Sequence, residues 1–400
     1  MSVTTKKKEK VKFSKAFWVA NTVELLERAA YYGVFVVITL YLSNVLGFTD
    51  IQAATIAGVF SACLYLLPTF SGALADKIGF RKSMLLAFTL LSLGYLGLGL
   101  FPNFLASTGL VEYGYVTKFT GLQESGYRYG IIPIMILIIV GGSFIKSVIS
   151  GTVAKETDEK NRARGFAIFY GMVNIGAFFG PLVTLLFKGT SSLIFYVSAG
   201  IISLNFILLL FYKEPGRAAN EKNTGSLFET FACIFRNMGS ILKDGKFIVF
   251  LLIVAGFWTM YNQLFFTLPV FISQWVDTGV LYDFFQAHFP FISHNYSPAP
   301  GVMDPEFVTN IDALYIILFQ VMVSSVVMKM KPLRSMMSGF LVCAVGMSLT
   351  LAFQNVLFTM VAILVFSLGE MAGSPKITEY IGRIAPADKK ALYMGYSFIP

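Results

Sequence analysis

A chain of 400 residues that is 56% hydrophobic and only 13% charged, with a mean hydropathy of +0.70, is excluded from the ordinary soluble globules. Forty Phe and 35 Gly point the same way, Gly being commoner in membrane helices than in soluble ones. The formal net charge of +9 would suit a nucleic-acid binder only if the basic residues shared one aqueous face; they are instead divided among the loops between apolar blocks.

Lys6, Lys7, Lys8, Lys10, Lys12 and Lys15 precede the first apolar block, 17–46. That block is long, carries charges and has no small-residue cleavage site, so it reads as a retained first span and not as a signal peptide. Glu24, Glu27, Arg28, Tyr31 and Tyr32 fall on one helical face, which Asn21 and Phe35 extend. A charge at the bilayer centre costs about 2.5–3.5 kcal/mol on insertion scales, so this face must look into a bundle interior or a watery cavity.

Further blocks long enough to cross a bilayer run near 52–75, 84–101, 131–154, 163–187, 191–212, 247–271, 310–329, 335–354 and 356–382, making ten expected crossings with both ends cytoplasmic. Basic clusters occupy every second loop: Lys77/Arg81/Lys82, Lys155/Lys160/Arg162/Arg164, Lys213 to Lys246, Lys329/Lys331/Arg334 and Arg383/Lys389/Lys390. The intervening loops hold Lys118, Arg128 and Lys188, and the alternation places the N-terminus in the cytoplasm. Residues 102–130 and 276–309 are then expected as loops on the far side, the second holding His288 and His294 as solvated residues. Residues 213–246 form a cytoplasmic linker whose piece 228–238 reads as an amphipathic helix on the membrane surface. We expect a six-helix N-terminal bundle over 1–212, this linker, and an incomplete C-terminal bundle over 247–400. Residues 391–400 begin another apolar block, so the chain is expected to stop within an eleventh span; a true ten-span protein is the alternative. Cys63, Cys233 and Cys343 have neither disulfide nor metal spacing, and no cofactor is called for.

Gly72-Ala73-Leu74-Ala75-Asp76-Lys77-Ile78-Gly79-Phe80-Arg81-Lys82 follows the second span. Its Gly and Asp spacing resembles the signature loop of the major facilitator superfamily, with Gly79 allowing a tight turn and Asp76 and Arg81 read as gating residues. Glu24-x-x-Glu27-Arg28-x-x-Tyr31-Tyr32-Gly33 is similar to the first span of the proton-dependent oligopeptide transporter family. Gly141-Gly142-Ser143-Phe144-Ile145-Lys146 and Phe169-Tyr170-Gly171-Met172-Val173-Asn174-Ile175-Gly176 resemble its fourth and fifth spans. Weaker matches are Phe257-Trp258 with Gln263, Asn310, and Gly369-Glu370 with Ser374-Pro375. Departures are Ala29 for the family's usual Phe, Ser147 for Pro, and Asn262 for an acid, and there is no room for the extra helix pair of many bacterial members. They bear on peptide specificity more than on fold or proton use.

The residues support a mechanism independently. At about 1.5 Å per residue, Arg28 lies roughly 15 Å, and Lys146 and Glu370 each roughly 21 Å, from the ends of their spans, so all three fall near the midplane of a core about 30 Å thick. Three carboxylates (Glu24, Glu27, Glu370) face two cations (Arg28, Lys146), and the excess acid marks a proton site. Glu24 and Glu27 are assigned to proton binding, with Arg28 as their switchable partner. Arg28 with Lys146 would dock a substrate carboxylate, and Glu370, helped by Asn174 and Asn310, a substrate amine. Tyr31, Tyr32, Tyr65 and Trp258 would line the cavity. The resemblance implies the same roles, and implies further that Lys146 and Glu370 pair across the bundles when substrate is absent, as a gate. Purely structural ion pairs, a snorkelling Lys146 and mere packing of Tyr65 and Trp258 are the plainer readings; Lys376 is read as a snorkelling or bundle-interface residue.

The expectation is an all-α membrane protein of the two-bundle major facilitator fold, monomeric, in the inner or plasma membrane. It would import di- or tripeptides, or a similar small zwitterion, with protons by alternating access. A proton-coupled carrier of a carboxylate, a nitrate-like anion or an amino-acid derivative is the alternative, and a non-transporting membrane sensor a remoter one. Enzymatic activity is not expected, because no nucleophile–base set or metal cluster appears in the sequence.

Overall fold

The computed structural model describes residues 13–109, 111–116, 119–122, 125–157, 162–187, 191–214, 232 and 244–384. The first half holds α1 (Lys15–Leu40), α2 (Asp50–Leu66), α3 (Pro68–Ile78), α4 (Phe80–Ser107), the strands β1 (Tyr113–Val116) and β2 (Phe119–Leu122), α5 (Ile131–Lys155), α6 (Arg162–Leu185) and α7 (Ser191–Phe211). The second half holds α8 (Gly245–Phe266), α9 (Leu268–Trp275), α10 (Gly279–His288), α11 (Pro290–Asn295), α12 (Pro305–Thr309), α13 (Ile311–Val327), α14 (Pro332–Thr350) and α15 (Val356–Ile384). The amphipathic piece 228–238 and the terminal block 391–400 lie outside the described residues, apart from the single residue 232.

Each expected apolar block is helical among the described residues, but not always as one rod. Among the described residues, seven helical stretches meet both the length and the apolarity a span needs: 80–107, 126–155, 192–211, 245–275, 305–327, 332–350 and 356–381. The first block runs unbroken through its charges as α1 and ends in a π turn, Tyr41–Val45. The second breaks between α2 and α3, because Pro68 lacks an amide hydrogen and opens the new helix. Pro269 accompanies the same kind of break between α8 and α9.

Local chemistry sets the starts. Ser14 Oγ accepts from Phe17 N at 3.1 Å, Thr49 and Gln52 form a reciprocal capping box, and Asp244 accepts from Phe247 N at 3.2 Å. The expected loops hold more structure than read from the sequence. Residues 102–130 contain the end of α4 and the β1–β2 hairpin, and 276–309 contain three short helices, with His288 stacked on Phe284 and exposed.

Two apolar clusters organise the packing, one built from α1–α7 and Tyr212, the other from α8–α15, with Leu182 of α6 resting on the second. Outward surfaces stay apolar: Leu210 is 73% and Val321 80% exposed, which suits lipid and not water. Helix α1 runs against α6 so closely that a methyl at Gly176 would come 2.6 Å from the carbonyl oxygen of Leu25, and one at Gly180 would collide with the backbone of Ala29. Gly79, at φ 95°, makes the turn between α3 and α4; Glu214 beyond α7 accepts from Phe80 N at 2.8 Å and braces that turn. At Gly72, Ser147 of α5 comes into contact and donates to the carbonyl of Pro68 at 2.8 Å, so the small residue and the Ser share one crossing.

Candidate substrate and proton site

One turn of α1 carries the first pole of the site. Glu24, Glu27 and Arg28 are all buried, with Arg28 Nε 3.2 Å from Glu24 Oε1 and Nη2 2.5 Å from Glu27 Oε2. The i, i+4 spacing brings Glu24 beneath the guanidinium, and the fork of Arg28 spans both acids. Its Cζ stands 5.1 Å from the centre of the Tyr31 ring. Lys146 of α5 joins from the side: its Nζ lies 3.7 Å from the Tyr65 ring centre, 6.0 Å from that of Tyr31, and 3.5 Å from the carbonyl of Leu64. Arg28, Glu27 and Glu24 are within electrostatic range of it. Two acids and two bases thus share one pocket wall.

The second pole is acidic. Glu370 on α15 is buried and accepts from the Tyr170 hydroxyl of α6 at 3.4 Å; its Oε2 has no well-formed hydrogen bond. Asp312 on α13 is buried beside it in electrostatic terms and accepts from Ser367 Oγ at 2.5 Å. Tyr261 of α8 is within electrostatic range of both carboxylates, and Tyr32 of Glu370 as well as of Glu27 and Arg28, so Tyr32 lies between the two poles. Trp258 packs edge-on against Tyr261 at 5.2 Å and is half-buried.

Most of the residues expected at the site converge: Glu24, Glu27, Arg28, Tyr31, Tyr65 and Lys146 at one pole, Glu370 at the other, Tyr32 between them. Asn174 and Asn310 each have the amide nitrogen held by backbone, which leaves the amide oxygen as the acceptor an amine would need. Asn174 donates to its own helix at Tyr170 O, 2.8 Å, and Asn310 donates across the halves to Phe178 O at 2.9 Å. Both amide donors are therefore committed to backbone. Lys146 and Glu370 make no ion pair with each other among the described residues; the implied gate is not closed in this conformation. Arg81 is exposed and lines a groove of about 460 Å³ with Lys82, Leu85 and Phe206, away from the centre, and the side chain of Asp76 lies outside the described residues. Lys376 is buried and pairs with Glu379 at 2.6 Å, on its own helix.

Asp312 was missed in the sequence, as were Tyr170 and Tyr261 as partners of Glu370. The signal for Asp312 was an acid set in the apolar run Ile311-Asp312-Ala313-Leu314, two residues from the Asn that drew attention.

The family model for the Major Facilitator Superfamily matches residues 22–399. The chain belongs to that superfamily. This major facilitator is a multi-pass membrane protein, and its curated relatives agree with the resemblance read from its motifs. It is 32% identical to dipeptide and tripeptide permease A of Salmonella typhi over 176 residues, 42% of this chain and 30% of that one. With the permease A of Yersinia pestis it shares 25% identity over 282 residues, 68% of this chain and 48% of that one. The matches span less than half the length of these relatives. Among solved structures, a peptide transporter POT in complex with sulfate matches with a TM-score of 0.61 at 18% identity, covering 96% of this chain and 85% of that one. A POT family transporter in complex with 5-aminolevulinic acid gives 0.59 at 20%, covering 96% and 87%. These likenesses establish the fold of the major facilitator described above.

Proposed function

We propose that the chain is a proton-coupled symporter that imports di- or tripeptides, or similar small zwitterions, by alternating access. The observation that carries this reading is the division of the site into a pole with two cations and a pole with only acids, facing each other from opposite halves. A zwitterion is the ligand whose own charges match both: its carboxylate toward Arg28 and Lys146, its ammonium toward Glu370. Residues 1–212 and 247–400 would be the rocking bundles, with 213–246 as a cytoplasmic link and the N-terminus in the cytoplasm of a cell bounded by this membrane.

Coupling follows from competition for Arg28. While Glu24 and Glu27 are charged, both hold the guanidinium. Protonating one removes a Coulombic partner and releases Arg28 toward a substrate carboxylate, so proton and substrate favour the same state. The hydrogen bonds from Tyr296 to Leu182 O (3.0 Å) and from Asn310 to Phe178 O (2.9 Å) join the halves at the Leu185 end of α6. By the charge alternation that end is extracellular, and the conformation is closed on that side.

Uptake by the full chain in proteoliposomes under an imposed inward proton gradient tests the reading, with dipeptides, free amino acids and nitrate as the panel. Glu27→Gln is expected to lose gradient-driven accumulation while keeping exchange between preloaded and external substrate. Accumulation that survives in this variant overturns the proton assignment. Full uptake in Glu370→Gln favours a carrier of simple anions instead.

A further inference from the structure

The charges of the two poles do not balance alike. At the α1 pole Glu24 and Glu27 meet Arg28 and Lys146. At the other, Asp312 and Glu370 are 2% and 4% exposed, and among the described residues neither carboxylate is paired with a cation. Among the described residues, the groups within range of them on neighbouring helices are neutral: Tyr170 on α6, Tyr261 on α8, Tyr32 on α1 and Cys343 on α14, with Ser367 on α15 itself. Lys376, six residues from Glu370, is committed to Glu379.

The hydrogen bonds around the pair are also incomplete. Tyr170 serves Glu370 Oε1, Tyr261 stands within hydrogen-bonding range of the same carboxylate and Ser367 serves Asp312 Oδ1, but Glu370 Oε2 is buried without a well-formed hydrogen bond. A buried acceptor left unmet costs its full desolvation penalty unless a ligand supplies the donor. The α-ammonium of a zwitterion supplies donors and one positive charge. It leaves the second carboxylate uncompensated.

We propose that Asp312 makes this pocket selective for a doubly charged amino end, so that a peptide whose first residue is basic is bound in preference to one with a single amine. The proposal rests on the zwitterion-transport reading and names the substrate class of that same site. One carboxylate takes the α-ammonium, the other the side-chain ammonium or guanidinium, and the tyrosines wall the pocket. Discrimination comes from the second carboxylate, which pairs with the added cation of a basic ligand but must keep a proton beside a singly charged one.

The test is ligand-dependent thermal stabilisation of the purified full chain, read as apparent Kd. Lysyl-alanine is expected to bind about tenfold tighter than alanyl-alanine. Asp312→Asn is expected to bring the ratio close to one. Asp312→Glu, which restores the charge, keeps the preference; a merely structural Asp312 would not separate the Asn and Glu variants in this way. No preference in the unaltered protein, or one that persists in Asp312→Asn, overturns the proposal and leaves a proton as the counter-charge of the pair. Lysinamide and alaninamide separate the two readings. If neither peptide stabilises the protein but lysinamide does so over alaninamide in an Asp312-dependent way, the peptide reading falls and the subsite stands. Equal effects of the two amides sink the subsite.

Discussion

The ammonium of Lys146 rests 3.7 Å from the centre of the Tyr65 ring, so that a cation and an aromatic face from different helices meet inside the membrane. Cation–π attraction is worth about 0.5–1 kcal/mol when exposed and about 2 when desolvated, and Tyr65 is 44% exposed. Tyr65→Leu is expected to weaken substrate exchange by about threefold to tenfold, whereas Tyr65→Phe, which keeps the ring, stays near the parent rate. Counterflow of labelled dipeptide in proteoliposomes reads the difference.

Arg28 is contacted by two acids at once, 3.2 Å from Glu24 and 2.5 Å from Glu27. Removing it as Arg28→Ala leaves both carboxylates buried without their partner, a change that typically costs about 3–5 kcal/mol. A lowered melting midpoint in detergent is the expected result. Arg28→Lys restores the charge but not the fork, so it is expected to recover most of the stability and none of the gradient-driven uptake. Equal melting of the Ala and Lys variants would show that charge is not what holds this turn.

The α1–α6 crossing predicts a contrast between two glycines of one helix. A side chain at Gly180 runs into the Ala29 backbone, so Gly180→Val is expected to lose about 1–3 kcal/mol by overpacking. A methyl at Gly171 meets nothing within 4 Å, and Gly171→Ala is expected to be neutral or to gain up to about 1 kcal/mol from helix propensity. Thermal unfolding of the two variants in the same detergent checks both signs.

Asn310 ties α13 to the backbone of α6 at Phe178, and such a bond contributes about 0.5–1.5 kcal/mol. Asn310→Ala is therefore expected to shift the balance between access states by about threefold to tenfold toward opening at that end. Labelling of a cysteine introduced near Tyr296 should speed up by that factor; an unchanged rate removes Asn310 from the closure.

How far the sequence disclosed this arrangement depended on the scale of the signal. Ten apolar blocks and the stripe Glu24–Glu27–Arg28–Tyr31 were legible because helical periodicity and the cost of intramembrane charge are properties of a single segment. Lys146 was legible from its depth in the span and from the Gly141-Gly142 run before it. The Tyr170–Glu370 bond joins residues 200 positions apart, which no local pattern encodes. The bond from Asn310 to the Phe178 carbonyl was not legible either, because it joins residues 132 positions apart. The short helices between 279 and 309 escaped because 276–309 is more polar than the spans and its helices run to only 5–10 residues, too short for a periodicity to stand out.

Helix α6 presents Tyr170, the Phe178 carbonyl and the Leu182 carbonyl in succession to Glu370, Asn310 and Tyr296. These attachments are rungs at different heights on one helix, and Pro181 interrupts its hydrogen-bond ladder next to the last of them. A joint at that proline would let the Leu182 end bend away from Tyr296 while the rungs at Phe178 and Tyr170 hold, so the two ends need not part together.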